Sequence, residues 1–390
     1  MSFARDFSVS ALVAGFVTVL VGFSSSAAIV FQAAHAMGAQ PAQIASWMWA
    51  LGLGMGLTCI ALSLRYRMPV VTAWSTPGAA MLITAAAGVS LADATGAFLV
   101  SALMITIAGF SGWFERAMNR IPVSIASGML AGVLLRFGLE VFVVMKTQFL
   151  MAFSMFAVYL VMRRLVPRYA VICAFALGII IAAAQGMLHM EDVHLELAKP
   201  VWVTPSLSVS TLIGVALPLF VVTMASQNVP GVAVIRASGY RVPISPVIGW
   251  TGVTNLIFAP FGAFALNLAA ITAAICMGRE AHEDSGRRYV ASVSAGAFYL
   301  LIGLFGATVG ALFAAFPREL VVSIAGLALI GTIGNGLAAA LSHERDREAA
   351  LVTFLVTASG VTLLGIGSAF WGLIAGGLAL LILHPPKEKS

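Results

Sequence analysis

Pro69-Val70-Val71-Thr72-Ala73-Trp74-Ser75-Thr76-Pro77-Gly78-Ala79-Ala80 is the stretch on which the fold of this chain turns. Its first half opens with Pro and is β-branched, which suits an extended segment better than a helix. Its second half reads as a helix start, with Ser75 or Thr76 as the cap and Pro77 at the first helical position. A second stretch, Gly262-Ala263-Phe264-Ala265-Leu266-Asn267-Leu268-Ala269-Ala270-Ile271, has the same form, with Asn267 as the expected N-cap. At a common offset of 194, Ala73 maps to Asn267 and Pro77 to Ile271. Both stretches lie within long apolar runs, and non-helical backbone at membrane depth survives only inside protein or beside a cavity. Two such extended pieces can pair and satisfy each other's amides. The half-helices that follow would then aim N–H groups and positive dipole ends at one central site, a setting for an anion. The plainer alternative for 69–86 is an ordinary Pro-kinked helix.

The composition leaves little choice of medium. Of 390 residues, 61% are apolar and only 9% charged, against about 25% charged in a soluble domain. The mean hydropathy is +1.02, and the 38 glycines suit close packing of transmembrane helices. A soluble enzyme, a secreted disulfide scaffold and a nucleic-acid binder are excluded. The net charge of +6 does not imply nucleic acid, because the charges fall between apolar runs rather than on one patch. Cys59, Cys173 and Cys276 lie far apart with no CxxC pairing and read as small buried hydrophobes.

Breaks at charges and Pro/Gly clusters divide the chain into fourteen apolar runs: 9–34, 43–64, 68–86, 91–113, 121–141, 143–162, 168–187, 207–229, 243–261, 263–278, 288–313, 317–341, 347–365 and 368–384. Each is long enough to cross a hydrocarbon layer of about 30 Å, or nearly so. With the N-terminus cytoplasmic, seventeen of the 21 basic residues fall in inside loops. Lys146, Lys199 and Arg318 fall outside and Arg136 within a span, as the positive-inside rule asks. The first run, though it follows Arg5 like a signal peptide, is read as retained because it has an internal counterpart.

That counterpart belongs to a repeat. Ser8-Val9-Ser10-Ala11-Leu12 recurs as Ser208-Val209-Ser210-Thr211-Leu212, Ala131-Gly132 as Ala325-Gly326, and Ile121-Pro122 as Phe316-Pro317. The expected organisation is a seven-span repeat over 1–187, a periplasmic connector over 188–206 and a second seven-span repeat over 207–390. Seven is odd, so the second copy sits upside down, as in many secondary transporters.

The run Tyr66–Ala80 resembles the benzoate/proton symporter (BenE) family. So do Leu217-Pro218-Leu219-Phe220-Val221-Val222-Thr223-Met224-Ala225-Ser226-Gln227-Asn228, Ala269–Cys276 and Gly365-Ile366-Gly367-Ser368-Ala369-Phe370-Trp371-Gly372. The resemblance covers essentially the whole chain. It implies an all-α carrier of the bacterial inner membrane for benzoate or a related aromatic acid. It also implies the 7+7 inverted-repeat fold of nucleobase and sulfate carriers, in which a core domain moves against a gate domain. The nucleobase carriers use acidic side chains in their eighth and tenth spans, where this chain has Gln227, Asn228 and Asn267. An anionic substrate supplies the reason, since a carboxylate there would repel it.

The expected binding set follows. Ser75, Thr76, Pro77 and Gly78 face Leu268 and Ala269 across the substrate carboxylate, with backbone amides up to Ile271. Ser25, Ser26, Gln227, Asn228 and Asn267 offer hydroxyls and amides, although intramembrane Ser is equally helix-packing glue. Trp74 is expected to stack on the aromatic ring, with Phe23, Phe31 and Phe264 as further walls or as core. Arg136 and Glu140 are four apart: either a local ion pair, or a proton-carrying role for Glu140. The six histidines lie in loops or at span ends without metal-ligand spacing, so no metal or other cofactor is expected. The partners are an aromatic carboxylate, protons and the lipid bilayer, with a second copy in a homodimer as an option. A carrier coupled to protons competes with an anion channel or an uncoupled carrier for another small organic anion. An enzyme is not supported, because no nucleophile–base pair, phosphate loop or metal cluster is present.

Overall fold

The structure, a computed structural model, describes residues 3–86, 88–188, 197–306, 316–361, 363 and 368–383. Residues 189–196 of the polar connector, including His189, Glu191 and Asp192, lie outside the described residues, as do Gly365-Ile366-Gly367 and the side chain of Ser25.

Helices follow the apolar runs. We label them α1 (Val9–Ala36), α2 (Pro41–Tyr66), α3 (Thr76–Ala85), α4 (Leu91–Phe110), α5 (Val123–Val144), α6 (Phe149–Leu165) and α7 (Ala170–Ala184). Then come α8 (Val209–Ala237), α9 (Ile244–Phe258), α10 (Ile271–Met277), α11 (Tyr289–Leu304), α12 (Arg318–Leu341), α13 (Arg347–Ala358) and α14 (Ser368–Leu383). Among the described residues, six stretches (α2, α4, α5, α8, α12 and α9 with its extension to Phe261) are long and apolar enough to cross a membrane. Starts are set by local chemistry. Ser8 Oγ accepts from Ala11 N, and Gln40 N donates to Gln43 Oε1 at 2.8 Å ahead of Pro41.

Two short strands, β1 (Thr72–Trp74) and β2 (Leu266–Leu268), pair antiparallel, with Ala73 opposite Asn267. The kinked-helix alternative for 69–86 is thereby set aside. Ser75 N donates to Ala265 O (3.0 Å) and Ala269 N to Val71 O (2.9 Å). Neighbouring helices satisfy the outer edges. Ser63 Oγ bridges the Val70 N and O, Thr72 N donates to Cys59 Sγ (3.2 Å), and Leu268 N donates to Asn228 Oδ1 (2.9 Å). Extended backbone is tolerable here because its polar groups find partners within protein. Cys59 therefore does more than fill space: it accepts a strand amide.

Asn267 is not a helix cap. It sits in β2, held there by pairing with Ala73, and α10 begins four residues later at Ile271 behind Ala270. Tertiary pairing overrides the local cap preference. In the first half Ser75 is the cap, its Oγ accepting from Gly78 N at 3.0 Å, and Thr76 rather than Pro77 opens the helix.

α8 runs on to Ala237, past the expected end at 229. It contains two wide π-helical turns, Leu212–Ala216 and Met224–Asn228. Pro218 and Pro230 explain both. Each lacks an N–H and would clash with the carbonyl four residues back, at Gly214 and Ser226, so the turn upstream widens and the helix continues.

The helices form two groups. α1–α4 and α8–α11 surround the strand pair, while α5–α7 pack with α12–α14. In the first group α2 and α11 cross at Gly52 and Gly303, where an added Cβ on Gly52 would lie 2.6 Å from the Gly303 backbone. Such contact lets helices approach through backbone alone. The groups meet chiefly where α8 crosses α5, α12 touches α1 and α10, and α14 reaches α8.

The α4–α5 connection is pinned to the first group. Arg236 donates to Met118 O and to Asn119 Oδ1, and Glu115 Oε2 accepts from Ser245 N at 2.8 Å. Partial burial pushes the Glu115 carboxyl up. Hydrogen bonds from Ser245 and Ile244 and the charge of Arg236 outweigh this and hold it below the usual carboxylate range.

Candidate functional site

A cavity of about 1120 Å³ separates the two helix groups. This exceeds the roughly 300–1,000 Å³ of a small-molecule pocket. Its wall on the strand-bearing side comes from α1, the start of α3, the second π-turn of α8 and the residues that open α10. The opposite wall comes from α5, the start of α12 and the facing ends of α13 and α14.

Several expected residues meet there. Pro77, Gln227 and Glu140 line the cavity, as do the rings of Phe23 and Phe31. Ser226, Ala270 and Ile271 join them, so both half-helix starts border the same space. A π-turn presents Ser226 and Gln227 together, at a position where such turns recur in functional sites.

Others are brought close but spend their polar atoms inside the protein. Trp74 is buried, edge-on to Phe23 with ring centroids 5.9 Å apart. Its Nε1 donates to Ser26 Oγ at 2.9 Å, and Ser26 in turn donates to Gly22 O. Neither is on the cavity wall, so the pair fixes α1 to the strand–helix junction, and the expected stacking role for Trp74 has no surface to act on. Asn228 is fully buried, binding the Leu268 amide and donating to Met224 Sδ. Leu268 commits its N–H to Asn228 Oδ1, Ala269 its own to Val71 O across the strand crossing, and Gly78 its own to Ser75. The residues that line the cavity at the two half-helix starts are Pro77, Ala270 and Ile271 rather than those residues. Phe264 packs in the core with Trp47 and Phe98.

Asn267 stands apart. It is fully buried off the cavity wall, and neither amide atom has a hydrogen-bond partner among the described residues. An unsatisfied buried amide costs on the order of 1–3 kcal/mol. Folding alone gives no reason to keep it.

The charges on the wall are the feature that sequence reasoning placed least well. Among the described residues they are Arg136, Glu140 and Arg318. Arg136 Nε lies 3.9 Å from Glu140 Oε1 as an i,i+4 pair, and both side chains reach the cavity, with that of Arg136 86% exposed. Arg318 opens α12, is exposed, and makes no ion pair among the described residues. Phe137 and Phe316 sit beside these charges and bring the aromatic residues of the wall to four. The signal was present, since three charges interrupt the apolar runs at one level, but pairing two helices far apart in sequence requires the fold. No group of His, Cys, Asp and Glu among the described residues is arranged to hold a metal ion.

Among solved structures the chain is similar to that of SLC26A9 (TM-score 0.52, 13% identity, covering 98% of this chain and 67% of that one). It is also similar to the transmembrane domain of a cyanobacterium bicarbonate transporter, BicA (TM-score 0.50, 13% identity, covering 97% and 98%). These likenesses show that the chain shares its fold with both structures. By sequence it is 52% identical to the inner membrane protein YdcO of Escherichia coli K12, over 97% of each chain. It is 40% identical to a benzoate membrane transport protein of Acinetobacter baylyi ADP1, over 99% of this chain and 98% of that one. The family profile described as benzoate membrane transport protein, BenE, matches residues 5–382. With a helical fold of membrane-transporter type, a cavity between two helix groups and these relatives, the chain belongs to the BenE family of benzoate membrane transport proteins and is a transporter, not an enzyme.

Proposed function

We propose that this chain carries benzoate or a related aromatic carboxylate into the cell together with a proton, by exposing its cavity alternately to either side of the membrane. The observation that supports this is the meeting of four aromatic rings, two guanidinium groups and one carboxylate around one cavity, Phe23 and Phe31 on one wall and the rest on the other. An aromatic acid has the same two halves: its ring fits among Phe23, Phe31, Phe137 and Phe316, and its carboxylate faces Arg318, Arg136 and the amide of Gln227. The start of α3 at Thr76 and Pro77, and the amides at Ala270 and Ile271, complete the floor. Ser26, Trp74, Ser75, Gly78, Asn228, Leu268 and Ala269 hold that floor in place from behind, and Asn267 adds an amide with no hydrogen-bond partner among the described residues. Ser25 belongs to the same stretch of α1.

The architecture that goes with this is fourteen spans in a 7+7 inverted repeat, 1–187 and 207–390, joined by a periplasmic connector at 188–206. Both termini are cytoplasmic and the host is a bacterial inner membrane. The strand-bearing helices form the moving core and α5–α7 with α12–α14 the gate. A homodimer is compatible with it.

Coupling follows from charge. Moving a carboxylate against an inside-negative potential costs about 2.3 kcal/mol per 100 mV, and one co-transported proton cancels it. Glu140 is placed to link the two. Ionised, it competes for Arg136; protonated, it releases that guanidinium to the substrate. Glu140→Gln should therefore retain benzoate exchange across proteoliposomes while losing accumulation driven by a pH gradient. Retained gradient-driven accumulation would move the proton route elsewhere.

The deciding test is uptake of labelled benzoate into proteoliposomes at clamped potential, with and without an inward proton gradient, corrected for leak in protein-free vesicles. Saturable, gradient-driven accumulation that a protonophore abolishes is expected. Unsaturable flux proportional to concentration would indicate a channel, and no flux above leak would exclude the substrate.

A further inference from the structure

α10 has its two ends in different surroundings. Its opening residues, Ala270 and Ile271, border the cavity. Three residues beyond its last residue, Met277, Glu280 meets Arg163 near the C-terminal end of α6, with Nη1 and Oε1 2.7 Å apart. The contact is built rather than incidental. Arg163 Nη1 also donates to the buried Tyr159 Oη, one turn back on α6, and the guanidinium lies 5.6 Å from the centre of that ring. The Glu280 side chain is 10% exposed. On α12, Gly331 makes room for the pair: an added Cβ would stand 2.8 Å from Glu280 Oε1 and 3.1 Å from Arg163 Nη2.

This cluster lies at the far end from the cavity. Arg318, Val322 and Ala325 of α12 line the cavity, and Gly331 lies thirteen residues beyond Arg318, about 20 Å at 1.5 Å per residue, and six beyond Ala325, about 9 Å. One helix of the second group thus touches the cavity along its first turns and the ion pair from its middle, at Gly331. In the first group α10 likewise joins the two, with the cavity at its start and Glu280 beyond its end. Any rigid movement of the strand-bearing helices against α5–α7 and α12–α14 that opens the far end must separate Glu280 from Arg163.

We propose that Arg163 and Glu280, with Tyr159 and Gly331, are positioning residues for transport. Their ion pair clamps the half-helix α10 to α6 and α12, holds the far end shut while the cavity is open, and sets the rate at which the cavity changes sides. The pair touches no substrate and acts only through α10. This rests on the alternating-access reading, but its first test needs no substrate.

The test places Val322→Cys on the cavity wall, with Cys173→Ala to remove the half-buried thiol; Cys59 and Cys276 are buried. Labelling of the thiol introduced at position 322 by a membrane-impermeant maleimide, added from the cavity side, reports how much protein has the cavity open to that side. In this background Glu280→Gln should slow labelling about threefold to tenfold, since it weakens the state in which the cavity is open. Its thermal unfolding should match the parent's. A second variant, Arg163→Cys with Glu280→Cys and Cys173→Ala but with Val322 kept, joined by a cleavable bifunctional thiol reagent, should lose benzoate exchange and regain it when the linker is cut. Parental labelling in Glu280→Gln, or parental exchange in the linked protein, would overturn the proposal. If the parent exchanges no benzoate at all, the substrate assignment fails while the labelling result still stands or falls by itself.

Discussion

Arg318→Glu should leave the protein folded and all but abolish saturable benzoate uptake, with KM raised on the order of 100-fold. The size of the effect comes from the short list of charges on the cavity wall. Arg136 is partly committed to Glu140 at 3.9 Å, so Arg318 is the cation left to meet a carboxylate. A hydrogen bond to a charged group contributes about 1.5–3 kcal/mol, which is roughly 10–100-fold in affinity, and the glutamine variant should lose about that much. Reversal goes further, because it sets a second carboxylate beside Glu140 and repels the anion outright. Stability should not fall with it. Arg318 is the first residue of α12 after Pro317, where the helix dipole disfavours a cation and favours an anion. A cation kept in that place has a reason outside folding. The measurement is initial uptake against benzoate concentration at low and high salt, alongside a thermal melt in detergent. The difference from the parent should narrow as salt rises. A KM within twofold of the parent in Arg318→Glu would remove Arg318 from the site.

The strand pair and the two half-helices could be read from residues alone, because Pro69, the β-branched 70–72 and a repeat offset of 194 all point the same way. The register came from the fold, which sets Ala73 opposite Asn267, its repeat mate at that offset. What the sequence could not supply is rotation. Whether Trp74 faces a ligand or a neighbour depends on how α1 is turned, and Ser26 Oγ holds its indole inward. Whether Asn267 caps a helix or joins a strand depends on the partner strand, not on Asn. Pro230 looked like the end of a span, yet a π-turn four residues upstream carries the helix past it. The charges on the cavity wall lie on α5 and α12, nearly two hundred residues apart in the chain, and only packing brings them to one surface.

Gln227 and Asn228 make the sharpest use of that distinction, since neighbours on one π-turn should fail in different ways. Gln227 is half-buried on the cavity wall. Gln227→Ala removes an amide from the site and nothing from the core, so KM should rise about tenfold, equivalent to about 1.4 kcal/mol, with an unchanged unfolding midpoint. Asn228 points the other way and accepts the Leu268 amide at 2.9 Å. Asn228→Ala strands that N–H in the protein interior, a cost on the order of 1–3 kcal/mol, and loosens β2 just ahead of α10. The expected signature is a lower unfolding midpoint and slower turnover, with a smaller change in KM than Gln227→Ala produces. An ordinary α-helical turn would set the two side chains about 100° apart as well; the π-turn adds a residue to the turn and displaces Ser226 and Gln227 toward the cavity. If Gln227→Ala destabilises the protein and Asn228→Ala does not, the turn is rotated from the arrangement described, and the binding role passes to Asn228.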